Sequence, residues 1–224
     1  MRRFLRENSL SLFFLVLLLF TLLGQSFAGQ HDHNAEQAEH GAQAISWGRY
    51  VASSDFWGAV MENWQSEFLQ FSFFIAVTIW LVQLGSNESK SLENRGLESD
   101  QRQMVGGHAP QNAPRWAKTR GWRTAIYSNS LLLVMTAIFF LTWAGQSVTN
   151  WNVFNDDRQL HGEPAIDWLT YLRDPDFWEK TFQNWQSEFL AVGTLAVFTI
   201  YLRQRGSHDS KPVGAPHSET GTSG

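Results

Sequence analysis

Apolar residues gather in four stretches along the 224-residue chain: Leu10 to Ala28, Phe68 to Leu84, Leu131 to Val148 and Phe189 to Leu202. The segments between them are charged or rich in Gly, Ser, Asn and Gln. Crossing a hydrocarbon core of about 30 Å takes about 20 mostly apolar residues. The first and third stretches come close to that alone, the second and fourth only with the residues just before them. The pattern predicts an all-α, integral membrane four-helix bundle with spans near 9–28, 66–84, 129–148 and 186–203.

Sliding the sequence along itself by 121 positions aligns Asn8 to Lys90 with Asn129 to Lys211 without a gap, at roughly 40 % identity. Asn8-Ser9-Leu10 matches Asn129-Ser130-Leu131, Gly24-Gln25-Ser26 matches Gly145-Gln146-Ser147, and His40-Gly41 matches His161-Gly162. Asp55-Phe56-Trp57 matches Asp176-Phe177-Trp178, and the heptapeptide NWQSEFL occurs at Asn63 to Leu69 and at Asn184 to Leu190. The expected layout is repeat 1 over 1–90 with outer loop 29–65, and repeat 2 over 128–211 with outer loop 149–185. A flexible linker, 91–127, joins them, and a disordered tail, 212–224, follows. Each repeat enters and leaves on one side, so the two hairpins should be parallel, related by an axis along the membrane normal.

Charge orients this layout. Arg2, Arg3 and Arg6 precede the first span, the linker carries Lys90 through Arg123, and Arg203, Arg205 and Lys211 follow the last span. The two outer loops are acid-rich. Positive residues favour the cytoplasmic face, which places both termini and the linker inside and both acidic loops outside. A net charge of −4 argues against nucleic acid as a partner, and the absence of cysteine removes disulfides, thiolate metal sites and thiol nucleophiles. Eleven Trp in such a chain suit membrane anchoring, with Trp57, Trp64, Trp116, Trp122, Trp178 and Trp185 as interfacial candidates. Around Trp116 and Trp122, interleaved basic and indole side chains suit anionic lipid. The lipid bilayer is thus the expected partner, together with other membrane proteins or a second copy.

Met1 to Gly29 also has the make-up of a secretory signal, ending in Ser26-Phe27-Ala28 as a small-x-small cleavage site. The third span ends on the same Gly-Gln-Ser, and an internal segment cannot be a signal peptide. The first span is therefore expected to be retained.

The candidate chemistry lies where polar residues enter the spans. In the second-copy outer loop, Asp174-Pro175 marks a helix start, and Ser53 can cap the equivalent start in the first copy. Counting at 1.5 Å per residue puts Glu188 about 23 Å from Arg203, and Gln146 about 26 Å from Asn129. Gln146 and Ser147 should then face Asn184, Ser187 and Glu188, as Gln25 and Ser26 should face Asn63, Ser66 and Glu67. A carboxylate at such depth is a functional-site candidate by default. The competing reading is a hydrogen-bonded lock on each hairpin, each bond contributing about 1 kcal/mol or less. His40 and His161, each before a glycine, read as helix caps. His31-Asp32-His33 has metal-ligand chemistry, but copy two has Asn152, Val153 and Phe154 there, so no metal site is expected. No nucleophile–base pair, phosphate loop or zinc-protease motif appears, so neither an enzyme nor a cofactor is expected.

With GQS closing the odd spans, NWQSEFL opening the even ones and Arg203 to Ser207 ending the last, the chain resembles a family of small bacterial membrane proteins known only as a domain of unknown function. The first copy departs by ending Leu81-Val82-Gln83-Leu84 where the last ends Leu202-Arg203-Gln204-Arg205. The resemblance implies a bacterial cytoplasmic (inner) membrane location and the four-span layout, and carries no activity. The leading expectation is a non-enzymatic bundle that supports or partners other membrane components. The alternatives are a small cation- or proton-coupled transporter or channel using the paired carboxylates, and an outer-face sensor or metal binder.

Overall fold

A computed structural model describes residues 2–221, and among these the regular structure is helical, with no strand. The α-helices are α1 (Arg2–Glu7), α2 (Ser9–Glu39), α3 (Trp47–Val51), α4 (Ser54–Val77), α5 (Trp122–Ser128), α6 (Ser130–Leu160), α7 (Trp168–Tyr171) and α8 (Pro175–Tyr201). Both α2 and α6 are long and apolar enough to cross a membrane by length and composition. Over residues 10–23 of α2 apolar side chains face every side of the helix and most are exposed, with Leu10 at 71 % and Phe20 at 72 %.

Local chemistry sets the helix limits. At the junctions before α2 and α6, the Asn8 and Asn129 amides donate back to Phe4 O and Ala125 O, both at 2.8 Å. Asn in this role competes with regular helix geometry, which accounts for a break at the shared Asn-Ser-Leu. Beyond the expected span ends, α2 continues to Glu39 and α6 to Leu160. At 31 residues each is about 46 Å long, well over a hydrocarbon thickness. Both stop at glycines with positive φ, Gly41 (70°) and Gly162 (74°). The amides of Gly41 and Ala42 reach Ala38 O and Gln37 O, and those of Gly162 and Glu163 reach Gln159 O and Arg158 O, a Schellman closure at each end. Pro175 is the first residue of α8, as its fixed φ favours. The helix expected to run to Leu84 stops at Val77, where the chain turns and Gly96 N donates to Ile79 O.

The chain divides into two compact units, residues 1–61 with 145–174 and residues 62–144 with 175–224. In the first, Tyr50, Phe56, Val60 and Tyr171 are buried with Ser26, Gln146, Ser147, Asn150 and Asn155. Close backbone approach is built in at Gly58, where a Cβ would stand 2.6 Å from Asn150 Oδ1, and at Gly29, where it would overlap the Tyr50 hydroxyl. Small residues at such points let helices pack tightly.

The core of the second unit is aromatic and hydroxyl-rich. The Trp143 ring stacks on Phe139 and Phe177 and meets Trp178 and Trp185 at 6.0 and 5.9 Å, while Leu69, Thr142, Thr181, Thr199 and Ile200 are buried. The linker carries three short 3-10 turns and folds around an open pocket of about 970 Å³ lined by residues including Lys90, Glu98, Arg120 and Tyr127. None of the polar-cluster or tryptophan-anchor candidates lines it. The tail to Gly221 runs through turns; residues 222–224 of the expected disordered segment lie outside the described residues. Lys211, 1 % exposed, directs its ammonium at Gly85 O (2.6 Å), Glu219 O (2.9 Å), His217 O (3.0 Å) and Pro216 O (3.2 Å). Burial, then the Arg203 charge, pushes that ammonium below the ordinary lysine range.

Candidate functional site

In the first unit the loop after each long helix is clipped to that helix. The Trp47 indole donates to Ser26 Oγ at 2.9 Å, and the Trp168 indole to Ser147 Oγ at 3.2 Å. Thus the serines of both Gly-Gln-Ser segments hold a loop tryptophan 21 residues on. A second clip lies one to two turns further along. Asn34 exchanges two hydrogen bonds with the Ile45 backbone, at 3.0 and 2.8 Å, and Asn155 does the same with Ile166, at 2.9 and 2.9 Å. The Ile45 carbonyl also receives Gln30 Nε2 (2.9 Å), and the Ile166 carbonyl receives the Trp151 indole (2.8 Å). Gln30 and Trp151 are equivalent under the 121-residue shift, so the bond is kept while the residue changes.

Beyond these clips lies a titratable group set. His33 Nδ1 stands 3.5 Å from Asp55 Oδ1, and the His33 ring lies 5.8 Å from Tyr50. Asp156 is within electrostatic reach of both Asp55 and His33. Burial, then the Asp55 and Asp32 charges, raises the Tyr50 phenol above the ordinary tyrosine range. His40 and His161 meet edge to face with ring centres 5.8 Å apart. The Asp157 carbonyl, then the Asp157 charge, holds the His161 imidazole above the ordinary histidine range.

In the second unit the two NWQSEFL segments touch across the repeats. The Trp185 indole donates to Gln65 Oε1 at 2.8 Å, and Gln65 is fully buried. The Ser66 hydroxyl donates to Asn63 O at 2.9 Å and lies 3.4 Å from Glu188 Oε1. Glu188 also acts electrostatically on Glu67, its equivalent in the other copy. Asn184 and Ser187 bond locally, to Lys180 O and Asn184 O, each at 2.8 Å.

Of the residues expected to form the polar clusters, Gln25, Ser26, Gln146 and Ser147 belong to the first unit and Asn63, Ser66, Glu67, Asn184, Ser187 and Glu188 to the second. Gln25 is half-buried; Gln146 is fully buried with neither amide atom hydrogen-bonded among the described residues. Among the tryptophans, Trp116 and Trp122 form an exposed edge-on pair at 6.1 Å, with Arg123 over Trp122 at 5.4 Å. Trp57 and Trp178 are exposed and Trp64 and Trp185 half-buried, and Trp178 and Trp185 each touch the Trp143 ring. Sequence reading missed Asn34, Asn155, Trp47, Trp168 and the two isoleucines. Their signal is identity at isolated positions of the repeat, outside its unbroken blocks.

A family model described as a domain of unknown function (DUF6766) matches residues 1–222. No curated protein and no solved structure matches the chain.

Proposed function

The chain belongs to the DUF6766 family, and we propose that it is a non-enzymatic multi-pass bundle of the bacterial cytoplasmic membrane that supports or partners other membrane components. In this reading α2, α4, α6 and α8 are the spans of two parallel hairpins, the termini and linker face the cytoplasm, and the clipped loops stand outside. One observation carries it: Ser26 and Asn34 beyond the first apolar run, and Ser147 and Asn155 beyond the third, hold the loop that follows by the same bonds in each copy. It also favours retention of the first helix, because cleavage after Ala28 would remove Ser26 from its loop tryptophan.

A second reading has support of its own. Equivalent carboxylates, Glu67 and Glu188, act on one another, and Ser66 lies against Glu188, which is how a shared proton or cation could be held. One experiment separates the two. The full chain and the Glu67→Gln/Glu188→Gln double variant are reconstituted in liposomes under proton and monovalent-cation gradients, with melting followed in detergent. The bundle reading expects a lowered melting temperature for the variant and no flux from either protein. Gradient-driven flux that the double substitution abolishes overturns it in favour of transport.

A further inference from the structure

His40 and His161 occupy equivalent positions at the C-terminal ends of α2 and α6, and the first unit brings their rings together, centres 5.8 Å apart and planes at 70°. Each Nδ1 lies against the backbone carbonyl four residues back, Glu36 O at 3.0 Å and Asp157 O at 2.9 Å. A carbonyl can only accept, so Nδ1 carries the proton and the neutral ring keeps a free lone pair on Nε2. Histidines that ligate metals hold their other ring nitrogen in this way. Two imidazoles sharing an ion at about 2.0–2.1 Å through Nε2 have ring centres roughly 5–6 Å apart, the spacing seen here. Both rings are exposed, so an ion reaches them from solvent. The surroundings favour a cation: both lie at negative helix ends, with Glu36, Glu39, Asp157 and Glu163 close in sequence.

We infer that His40 and His161 form a two-histidine site for a borderline divalent transition-metal ion such as Zn2+, pinning the C-terminal ends of α2 and α6. Among the described residues no group of three or more His, Cys, Asp or Glu is set to hold an ion, so water completes the coordination and affinity is in the micromolar range rather than that of a structural zinc centre. The site differs from the His31-Asp32-His33 run, where His33 is turned to Asp55.

Calorimetric titration of ZnCl2 into the tag-free full chain in detergent tests this. The expected result is one Zn2+ per chain, weakened at least tenfold by His40→Gln or His161→Gln and changed less than twofold by His31→Ala. Absence of saturable binding, or binding unchanged in both glutamine variants, overturns the site. Electron paramagnetic resonance of the native chain with one equivalent of Cu2+ gives an answer independent of how the variants fold: coupling to two imidazole nitrogens is expected, and one or none overturns it.

Discussion

Replacing Asn155 by alanine isolates what a loop clip contributes. The side chain is buried and makes two bonds to one residue, accepting from Ile166 N and donating to Ile166 O, both at 2.9 Å. After Asn155→Ala the carbonyl keeps the Trp151 indole at 2.8 Å, but the amide loses its acceptor. Two neutral hydrogen bonds at about 1 kcal/mol each, with one carbonyl still paired, give a loss of about 1.5–2 kcal/mol. Local opening weakened by about 2 kcal/mol speeds amide exchange roughly 30-fold. Hydrogen–deuterium exchange on the full chain in detergent, resolved at Ile166, reads this directly. Asn155→Asp keeps the acceptor for the amide while setting a carboxylate against the carbonyl, so its rate should fall between native and alanine. Asn34→Ala should accelerate Ile45 and leave Ile166 unchanged, because the two clips share no side chain. An unchanged Ile166 rate in Asn155→Ala, or equal acceleration along the whole chain, refutes the clip as a local device.

Two other outcomes follow from single side chains. Lys211→Met leaves the carbonyls of Gly85, Pro216, His217 and Glu219 without the ammonium, and charge-assisted bonds of this kind contribute about 1.5–3 kcal/mol. Proteinase K should then cut the tail at least tenfold faster, whereas Lys90→Met should not change that rate. Asp167 caps α7 through Thr170 N (3.1 Å) and Thr170 Oγ1 (2.6 Å), which holds its carboxyl below the ordinary range. Its contribution is therefore complete above the unfolded value near 3.9 and is lost as pH falls through the lower folded value. Thr170 amide exchange, corrected for intrinsic rate, should show this acid limb in the native chain and not in Asp167→Asn.

Taken alone, the order of residues determined much of the secondary structure. Two long apolar runs, His-Gly endings and an Asp-Pro start are local signals, and helix formation, Schellman closure and proline at a first helical position are local physics. The 121-residue repeat was equally legible, since it needs no fold to be seen. Periodicity could not tell how far α4 runs: Thr78 to Leu84 is apolar enough to continue a helix, yet the chain turns there and the Ile79 carbonyl is taken by Gly96. Nor could it assign partners. Depth counting set Ser26 and Ser147 opposite the glutamates, but their hydroxyls hold tryptophans returning from the loop. Ser66 with Glu188, Gln65 with Trp185 and His40 with His161 join residues about 120 positions apart. A hydrogen bond depends on position to within a few tenths of an ångström, which counting along one helix does not supply. That position is set where separate segments pack, so the tertiary structure alone decided which polar groups of the two repeats meet.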